Sequence, residues 1–131
     1  MDKSVELQAQ SFFDALSGAV DARQVSKLVP FFHIPTIFVE EGVKNACVTT
    51  DQLQFQLSHY LENAALSEPY HHNPQVLQVL KLSSSIYFVQ VKWQWLSDQS
   101  DEVMSERQSS YTIQSDADGG FTIVVSVVDG E

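Results

Sequence analysis

The second half of the chain is a nearly continuous series of strand-forming segments, and this feature restricts the possible folds most. Four segments rich in β-branched and aromatic residues are separated only by the short polar stretches SSS, SDQSD and SDADGG. These segments are Val76–Leu82, Ile86–Leu96, Glu102–Gln114 and Phe121–Val128. Because short polar turns of this kind connect neighbouring antiparallel strands, the sequence predicts a four-stranded meander.

The first half of the chain carries helical patterns instead. Apolar residues recur at steps of three and four in the first twenty residues, which predicts one amphipathic helix. Asp21 and Gln24 resemble a capping box, so we expect a short second helix that Pro30 ends. Thr49 and Gln52 repeat this pattern at the start of a predicted third helix. The buried face of the third helix would carry Leu53, Leu57, Tyr60, Leu61 and Ala64.

The segment HIPTIFVEEG, residues 33 to 42, alternates like a strand but contains a proline. Pro35 cannot donate a ladder hydrogen bond, so we expect this strand at a sheet edge or with a bulge. After the turn EEG, the chain would return as a hairpin over Val43–Val48. The later segment SEPYHHNP contains two prolines and is predicted to be a loop. Helices followed by a run of antiparallel strands indicate one α+β domain, 1–131, with helices packed on one face of a curved sheet.

The charge balance argues against two classes of partner. Seven Lys and Arg residues oppose 17 Asp and Glu residues, which gives a formal net charge of −10. A surface of this sign repels nucleic-acid phosphates and anionic lipids, and no basic cluster offsets the repulsion. We therefore expect no nucleic-acid partner and no membrane partner.

Three further features favour a cytoplasmic protein. Cys47 is the single cysteine and cannot form an internal disulfide, which fits a reducing compartment. The polar, acidic first ten residues predict no secretory signal. The uninterrupted apolar runs are only a few residues long, whereas a membrane-spanning helix needs about 20.

Two groups of segments in this sequence resemble segments of the NTF2-like superfamily. The cone-shaped α+β fold of that superfamily is also called cystatin-like. HIPTIFVEEG followed by VTTDQL is similar to the family's first strand, its turn and the start of its third helix. VKWQWL, SSYTIQ and DGGFTIV are similar to its last strands. The resemblance covers nearly the whole chain and implies a curved, mostly antiparallel sheet wrapped around three helices from the N-terminal half. It points to an uncharacterised branch related to SnoaL-like and ketosteroid-isomerase-like proteins.

The resemblance does not carry catalytic residues over to this chain. The ketosteroid-isomerase branch would need a tyrosine on the first helix, where this sequence has two phenylalanines. It would also need one acid near the first strand and another on the strand that here carries Trp93. No acid stands where that base or that oxyanion donor is needed. The remaining chemistry is a dehydratase-like pairing of His33 with Tyr60 or Tyr111.

Alternation along the second meander strand selects candidate cavity residues. Val89, Val91, Trp93 and Trp95 share one face, which should turn toward the helices, while the intervening polar residues share the other face. Two interpretations of the tryptophans remain open. They form part of a large aromatic core, or they line the wall of a ligand cavity, since such cavities are mostly apolar with a few polar groups.

The next strand has two possible phases. If Tyr111 points inward, Arg107 and Ser109 point into the same cavity nearer its opening. The competing register would place Glu106 and Gln108 inside instead. An inward arginine needs an anion, which is either a protein carboxylate or a ligand, and a surface or interface ion pair is the other interpretation of Arg107.

His33 stands at the start of the first predicted strand and titrates near neutral pH, which suits proton transfer. A packed, hydrogen-bonded histidine is the alternative interpretation. The histidines and the cysteine do not have metal-ligand spacing, so we expect no metal and no cofactor. The candidate pocket residues are His33, Phe38, Tyr60, Trp93, Trp95, Arg107 and Tyr111.

Two functions follow from these residues. The first is a non-enzymatic protein that binds a small apolar ligand in an aromatic-lined pocket, acts as a dimeric interaction module through the outer sheet face, or does both. The second is a lyase or isomerase that acts on an apolar carbonyl ligand. In the second, His33 would be the base and a tyrosine hydroxyl would polarise the carbonyl.

Overall fold

Three helices precede and interrupt the first strands of the chain. The computed structural model describes residues 3–62 and 69–128, so the predicted helical position Ala64 and the start of SEPYHHNP lie outside the described residues. Helix α1 spans Lys3–Asp21, α2 spans Val25–Leu28, and α3 spans Thr50–Glu62. A single 3₁₀ turn, Val29–Phe31, joins α2 to the first strand. None of the helices in the described ranges combines the length and apolar character that crossing a bilayer requires.

The strands form one six-stranded sheet. They are β1 (Phe32–Glu40), β2 (Val43–Cys47), β3 (Tyr70–Lys81), β4 (Ile86–Ser97), β5 (Val103–Ser115) and β6 (Phe121–Val128). Their spatial order is β2-β1-β6-β5-β4-β3, and every neighbouring pair is antiparallel except β1 with β6, which is parallel. The predicted meander of β3 to β6 and the α+β class with a curved, mostly antiparallel sheet are confirmed.

The proline in the first strand is accommodated by an irregularity and not by an edge position. Strand β1 lies between β2 and β6, so both of its sides are paired. Its register with β6 runs from Phe32 opposite Ile123 directly to Ile37 opposite Val125, so the ladder is interrupted around Pro35. The bulge alternative is therefore correct, because a missing N–H is tolerated where the ladder is already broken.

One of the two predicted capping boxes forms and the other does not. The Gln52 backbone N–H donates to Thr49 Oγ1 at 3.2 Å, and Gln52 Oε1 accepts from the Val48 N–H at 2.7 Å, which satisfies amide donors at the start of α3. Asp21, in contrast, is the last residue of α1, and Gln24 makes no side-chain cap at α2. The prediction at Asp21 was wrong because its carboxylate binds another element, strand β3.

Strand β3 begins earlier than the sequence pattern indicates. The segment Tyr70–Pro74 was predicted to be a loop, but it is the first part of β3 and pairs with β4. Strand β3 is the last strand of the sheet, so one of its sides has no neighbouring strand, and a proline is tolerated at such an edge. Pairing across a long β4 thus overrides the local turn signal of the two prolines.

The core lies between α1, α3 and the concave face of the sheet. Phe13 of α1 is fully buried, and its ring centroid lies 4.8 Å from that of Tyr111 and 6.4 Å from that of Trp93. The largest fully buried apolar side chains of the sheet and α3 are Val89, Val91, Ile113, Ile123 and Leu53. These side chains hold the helices against β4, β5 and β6, and they leave a cavity on the side of β1 and α3.

Candidate functional site

Most of the pocket residues that were predicted from the sequence line one cavity. It opens between β1, α3 and the N-terminal half of β5, and its apolar floor is formed by Leu16, Val20, Leu28 and Leu57. Six of the seven candidate residues line it: Phe38, Tyr60, Trp93, Trp95, Arg107 and Tyr111. The polar lining groups besides Arg107 and the tyrosines are Glu40, Gln56, Ser109 and Ser126.

The strand phases explain why these side chains meet. In β4, Val89 and Val91 are fully buried and Trp93 is 5% exposed, so the predicted inward face is confirmed. In β5, Ser109 and Tyr111 are buried while Glu106 and Gln108 are exposed, which settles the phase that the sequence left open. Antiparallel pairing then places Arg107 directly opposite Trp93, on the same side of the sheet.

The Trp93 indole and the Tyr111 hydroxyl form the polar contact at the back of the cavity. Trp93 Nε1–H donates to Tyr111 Oη at 2.9 Å, and both residues are buried. Burial raises the pKa of the Tyr111 phenol strongly, and its hydrogen bonds with Trp93 and Ser109 oppose that effect only in part. Tyr111 therefore stays protonated at neutral pH.

Tyr60 brings a second hydroxyl to the cavity from α3. The residue as a whole is 38% exposed, yet burial is the main cause that raises the pKa of its phenol. The positive charge of Arg107 lowers that pKa and so opposes the burial effect, which places the phenol and the guanidinium in the same electrostatic environment. Tyr60 is also protonated at neutral pH and can donate a hydrogen bond.

Among the residues that the structure describes, Arg107 is the only basic side chain that lines the cavity, and none of them acts as its counterion. Among the described residues, no carboxylate oxygen lies within 4.0 Å of its guanidinium, and the guanidinium makes no hydrogen bond. Glu40 lines the same cavity, but it is exposed and does not form this ion pair. The interpretation of Arg107 as part of a surface ion pair therefore has no support among the described residues.

His33 does not join the other candidates. It is exposed, its Nδ1 lies 3.2 Å from the carbonyl oxygen of Pro35, and it does not line the cavity. The bulge in β1 separates its position from that of Phe38, which does line the cavity. Tyr60 and Tyr111 converge, whereas the imidazole that would act as the base with them is elsewhere on the surface.

A different histidine, His72, supports the part of the cavity wall that Trp93 and Trp95 form, which we call the tryptophan wall. The sequence analysis did not identify this histidine. His72 is 7% exposed, its Nδ1 lies 2.7 Å from Asp21 Oδ1, and its ring packs against Trp93 and Trp95 at centroid distances of 5.9 and 5.3 Å. Because a carboxylate only accepts hydrogen bonds, Nδ1 carries the proton, and the buried Nε2 has no partner among the described residues. The inward phase of His72, Pro74 and Val76 in SEPYHHNPQV is the signal that would have found it.

The size of the cavity limits what it can hold. The centre of a water-sized sphere has about 70 Å³ in which to move. Widened by the radius of that sphere, about 1.4 Å, the space accepts a compact ligand with on the order of ten non-hydrogen atoms. Within the described part of the chain, no three His, Cys, Asp or Glu side chains come together as a metal site would require.

Sequence comparisons leave the chain unassigned. No protein-family model matches it, and no curated protein matches it.

Comparison with solved structures identifies the fold. A ketosteroid isomerase-like protein from Erwinia carotovora atroseptica superposes with a TM-score of 0.67 at 13% identity, covering 93% of this chain and 94% of that one. An NTF-2 like protein of unknown function from Shewanella oneidensis gives 0.68 at 9% identity, with 92% and 94% covered. A domain of unknown function with a cystatin-like fold from Nostoc punctiforme gives 0.72 at 11% identity, with 100% and 80% covered. This chain therefore has the NTF2-like, or cystatin-like, fold.

Proposed function

We propose that this protein binds a small, mostly apolar ligand in the cavity between β1, α3 and β5. One observation carries the proposal, namely that aromatic and aliphatic side chains from seven helices and strands enclose one space that also contains a few polar groups. Ligand sites have this composition, because apolar walls supply affinity while a few placed polar groups supply orientation. The cavity size favours a single ring with a short substituent.

The position of His33 supports binding over the lyase or isomerase alternative. A general base must lie within hydrogen-bond reach of the proton it removes. His33 is exposed and lies outside the cavity, so it is out of reach of a ligand held between Tyr60 and Tyr111. A lyase or isomerase mechanism with His33 as the base therefore lacks a base beside the ligand. Cys47, a buried single thiol, accords with our proposal of a cytoplasmic protein.

The test is a titration followed at the indole N–H signals of the two tryptophans in ¹⁵N spectra. Phenylacetamide and indole serve as probes, because each is neutral and has about ten non-hydrogen atoms, which matches the cavity. We expect the Trp93 and Trp95 signals to shift and to saturate. The absence of any saturable shift with either probe would contradict ligand binding at this cavity.

A pair of variants on α3 controls for non-specific binding. Gln56 lines the cavity and is half-buried, whereas Gln54 on the same helix is exposed and does not line it. Gln56→Trp should place an indole in the opening and weaken probe binding about tenfold or more. Gln54→Trp adds the same group to the surface and should leave binding unchanged. Equal effects of the two variants would place the probe elsewhere.

We also propose that two copies associate through the outer face of the sheet. That face carries few charges and a row of amide contacts, in which Gln90 donates to Gln108 at 3.2 Å and Gln94 donates to Glu106 at 2.8 Å. Phe88 on β4 lies opposite Leu80 on β3, which is 43% exposed. A weakly charged face with an apolar pair beside side-chain amides suits packing against a second copy of itself.

Sedimentation velocity at several concentrations tests this association. Phe88→Glu should shift the protein toward the monomer, because each copy would then bring an uncompensated charge into the apolar part of the interface. Leu7→Glu, at a 69% exposed position on α1, is the matched control and should leave the sedimentation coefficient unchanged. A wild-type protein that sediments as a monomer at every concentration would refute the proposed dimer.

A further inference from the structure

Arg107 has a specific position in the cavity wall that the binding proposal by itself does not explain. It lies in β5 directly opposite Trp93 of β4, and it shares the inward side of the sheet with Ser109 and Tyr111. The walls around it are mainly aromatic and aliphatic. A guanidinium in such a place gives up part of its hydration and needs an anionic partner to replace it.

The protein does not supply that partner among its described residues. No carboxylate in the described ranges 3–62 and 69–128 lies within 4.0 Å of the guanidinium. The contact between an arginine and an aromatic ring that the structure contains belongs to Arg23 and Tyr70. Glu40 is the one carboxylate among the described residues that line the cavity, and it is exposed and outside ion-pair distance of Arg107. The donors of Arg107 therefore remain available to a molecule in the cavity.

We infer that the ligand carries a carboxylate, which Arg107 binds, and that its apolar part lies against Trp93 and Trp95. This inference rests on the proposed binding function and adds the chemical class of the ligand, a small apolar monocarboxylate. The planar fork of a guanidinium matches a carboxylate with two parallel N–H···O bonds, and such charge-assisted bonds are stronger than neutral ones.

The neighbouring hydroxyl groups fit the same ligand. Tyr60 shares the electrostatic environment of Arg107, and burial keeps its phenol protonated, so it can donate a hydrogen bond to a carboxylate oxygen. Ser109 lies two residues from Arg107 on the same side of β5. Glu40 acts in the opposite direction, because its negative charge repels an anion that enters the opening.

The experiment compares two probes of nearly identical shape, phenylacetate and phenylacetamide, in the same ¹⁵N titration. The wild-type protein should bind phenylacetate about tenfold or more tightly than phenylacetamide, since charge-assisted bonds exceed neutral ones by roughly that factor. Arg107→Gln should abolish this preference while phenylacetamide still binds. Arg107→Lys should keep part of the preference, because it retains the charge but loses the fork.

Two further variants test whether the effect is local. Lys92→Gln removes one positive charge from the outer face of β4 and should leave the preference unchanged, since Lys92 does not line the cavity. Glu40→Gln removes the opposing charge and should strengthen phenylacetate binding severalfold.

The outcomes separate this inference from the proposal on which it rests. Equal binding of the two probes to the wild-type protein would overturn the carboxylate inference and leave the cavity proposal standing. A preference that survives in Arg107→Gln would also overturn the inference. Failure of both probes to bind would overturn the cavity proposal and the inference together.

Discussion

His71 and His72 are adjacent, yet they meet opposite environments because successive side chains of a strand point to opposite faces. His72 is buried beside Asp21 and the tryptophan wall. His71 is partly exposed, and its Nδ1 lies 2.7 Å from Asp98 while its Nε2 lies 3.5 Å from Asp101. One histidine therefore supports the cavity, whereas the other joins β3 to the turn between β4 and β5.

The environment of His71 predicts a pH dependence. The hydrogen bond with Asp98 raises the pKa of the His71 imidazole above its ordinary value of 6.5, and the negative charge of Asp101 adds to the effect. Because the folded-state pKa is raised, this interaction stabilises the fold fully below about pH 6.5 and loses that effect as the pH rises through the folded pKa. We expect an NMR titration of the His71 ring protons to show a midpoint above 6.5.

Asp98→Asn should move the His71 midpoint back toward 6.5. Asp118→Asn is the matched control, because it removes one exposed carboxylate from the turn at the other end of β5. A His71 midpoint that responds equally to both variants would mean that the general negative field of the protein, and not the Asp98 bond, causes the raised pKa.

The bond between Trp93 and Tyr111 predicts a stability effect. Tyr111→Phe keeps the ring but leaves the buried Trp93 Nε1–H without its acceptor. Leaving a buried donor unsatisfied costs about 1–3 kcal/mol, which urea unfolding measures. Tyr87→Phe is the control, because Tyr87 is half-buried and makes no side-chain hydrogen bond with another described residue. The assignment is wrong if both variants lose the same small amount of stability.

Helix α1 covers the free edge of strand β3 with its polar side chains. Gln10 donates to the Pro74 carbonyl at 2.9 Å and accepts from the Val76 N–H at 3.0 Å. Further along the helix, Ser17 donates to the His72 carbonyl at 3.0 Å, and the carboxylate of Asp21 accepts from the His72 N–H at 3.1 Å. Side chains thus satisfy edge groups that would otherwise be open to another strand.

The hydrogen bonds from α1 to the edge of β3 predict that removing one of them speeds hydrogen exchange of the amide it protects. Gln10→Ala removes the acceptor of the Val76 amide, so that amide should exchange about tenfold faster or more, because it opens to solvent without unfolding. Gln8→Ala, at an exposed position on the same helix, should leave the Val76 exchange rate unchanged. Equal rates in the two variants would show that the Gln10 bond does not protect this edge.

At the scale of the whole molecule, stability depends on how α1 packs against the sheet. Phe13 is fully buried against Trp93 and Tyr111, so Phe13→Ala should lower the free energy of unfolding by about 3–5 kcal/mol through lost burial and a new void. Phe55 on α3 is 76% exposed, and Phe55→Ala should change it by less than about 0.5 kcal/mol. Similar losses of unfolding free energy for the two variants in chemical denaturation would contradict this packing of α1 against the sheet.

Local patterns in the chain were sufficient for the meander, the α+β class and the inward face of β4. Alternation in β4 is nearly uninterrupted, and the polar turns on either side set its ends, so neighbouring residues alone determine the face. The capping box at Thr49 and Gln52 was equally predictable from the sequence, because both partners lie within four residues of each other. The inward position of Trp93 followed from such patterns, whereas the alternation in β5 left the phase of Arg107 and Tyr111 open.

Contacts between residues far apart in the chain decided the rest. Asp21 pairs with His72, 51 residues away, instead of capping α2, and β1 pairs in parallel with β6 at the far end of the chain. The bulge at Pro35 sets His33 apart from the cavity, and pairing with β4 makes a strand of Tyr70–Pro74. Periodicity indicates which residues share a face, but only the assembled sheet decides which faces meet, because that depends on long-range pairing and side-chain volume.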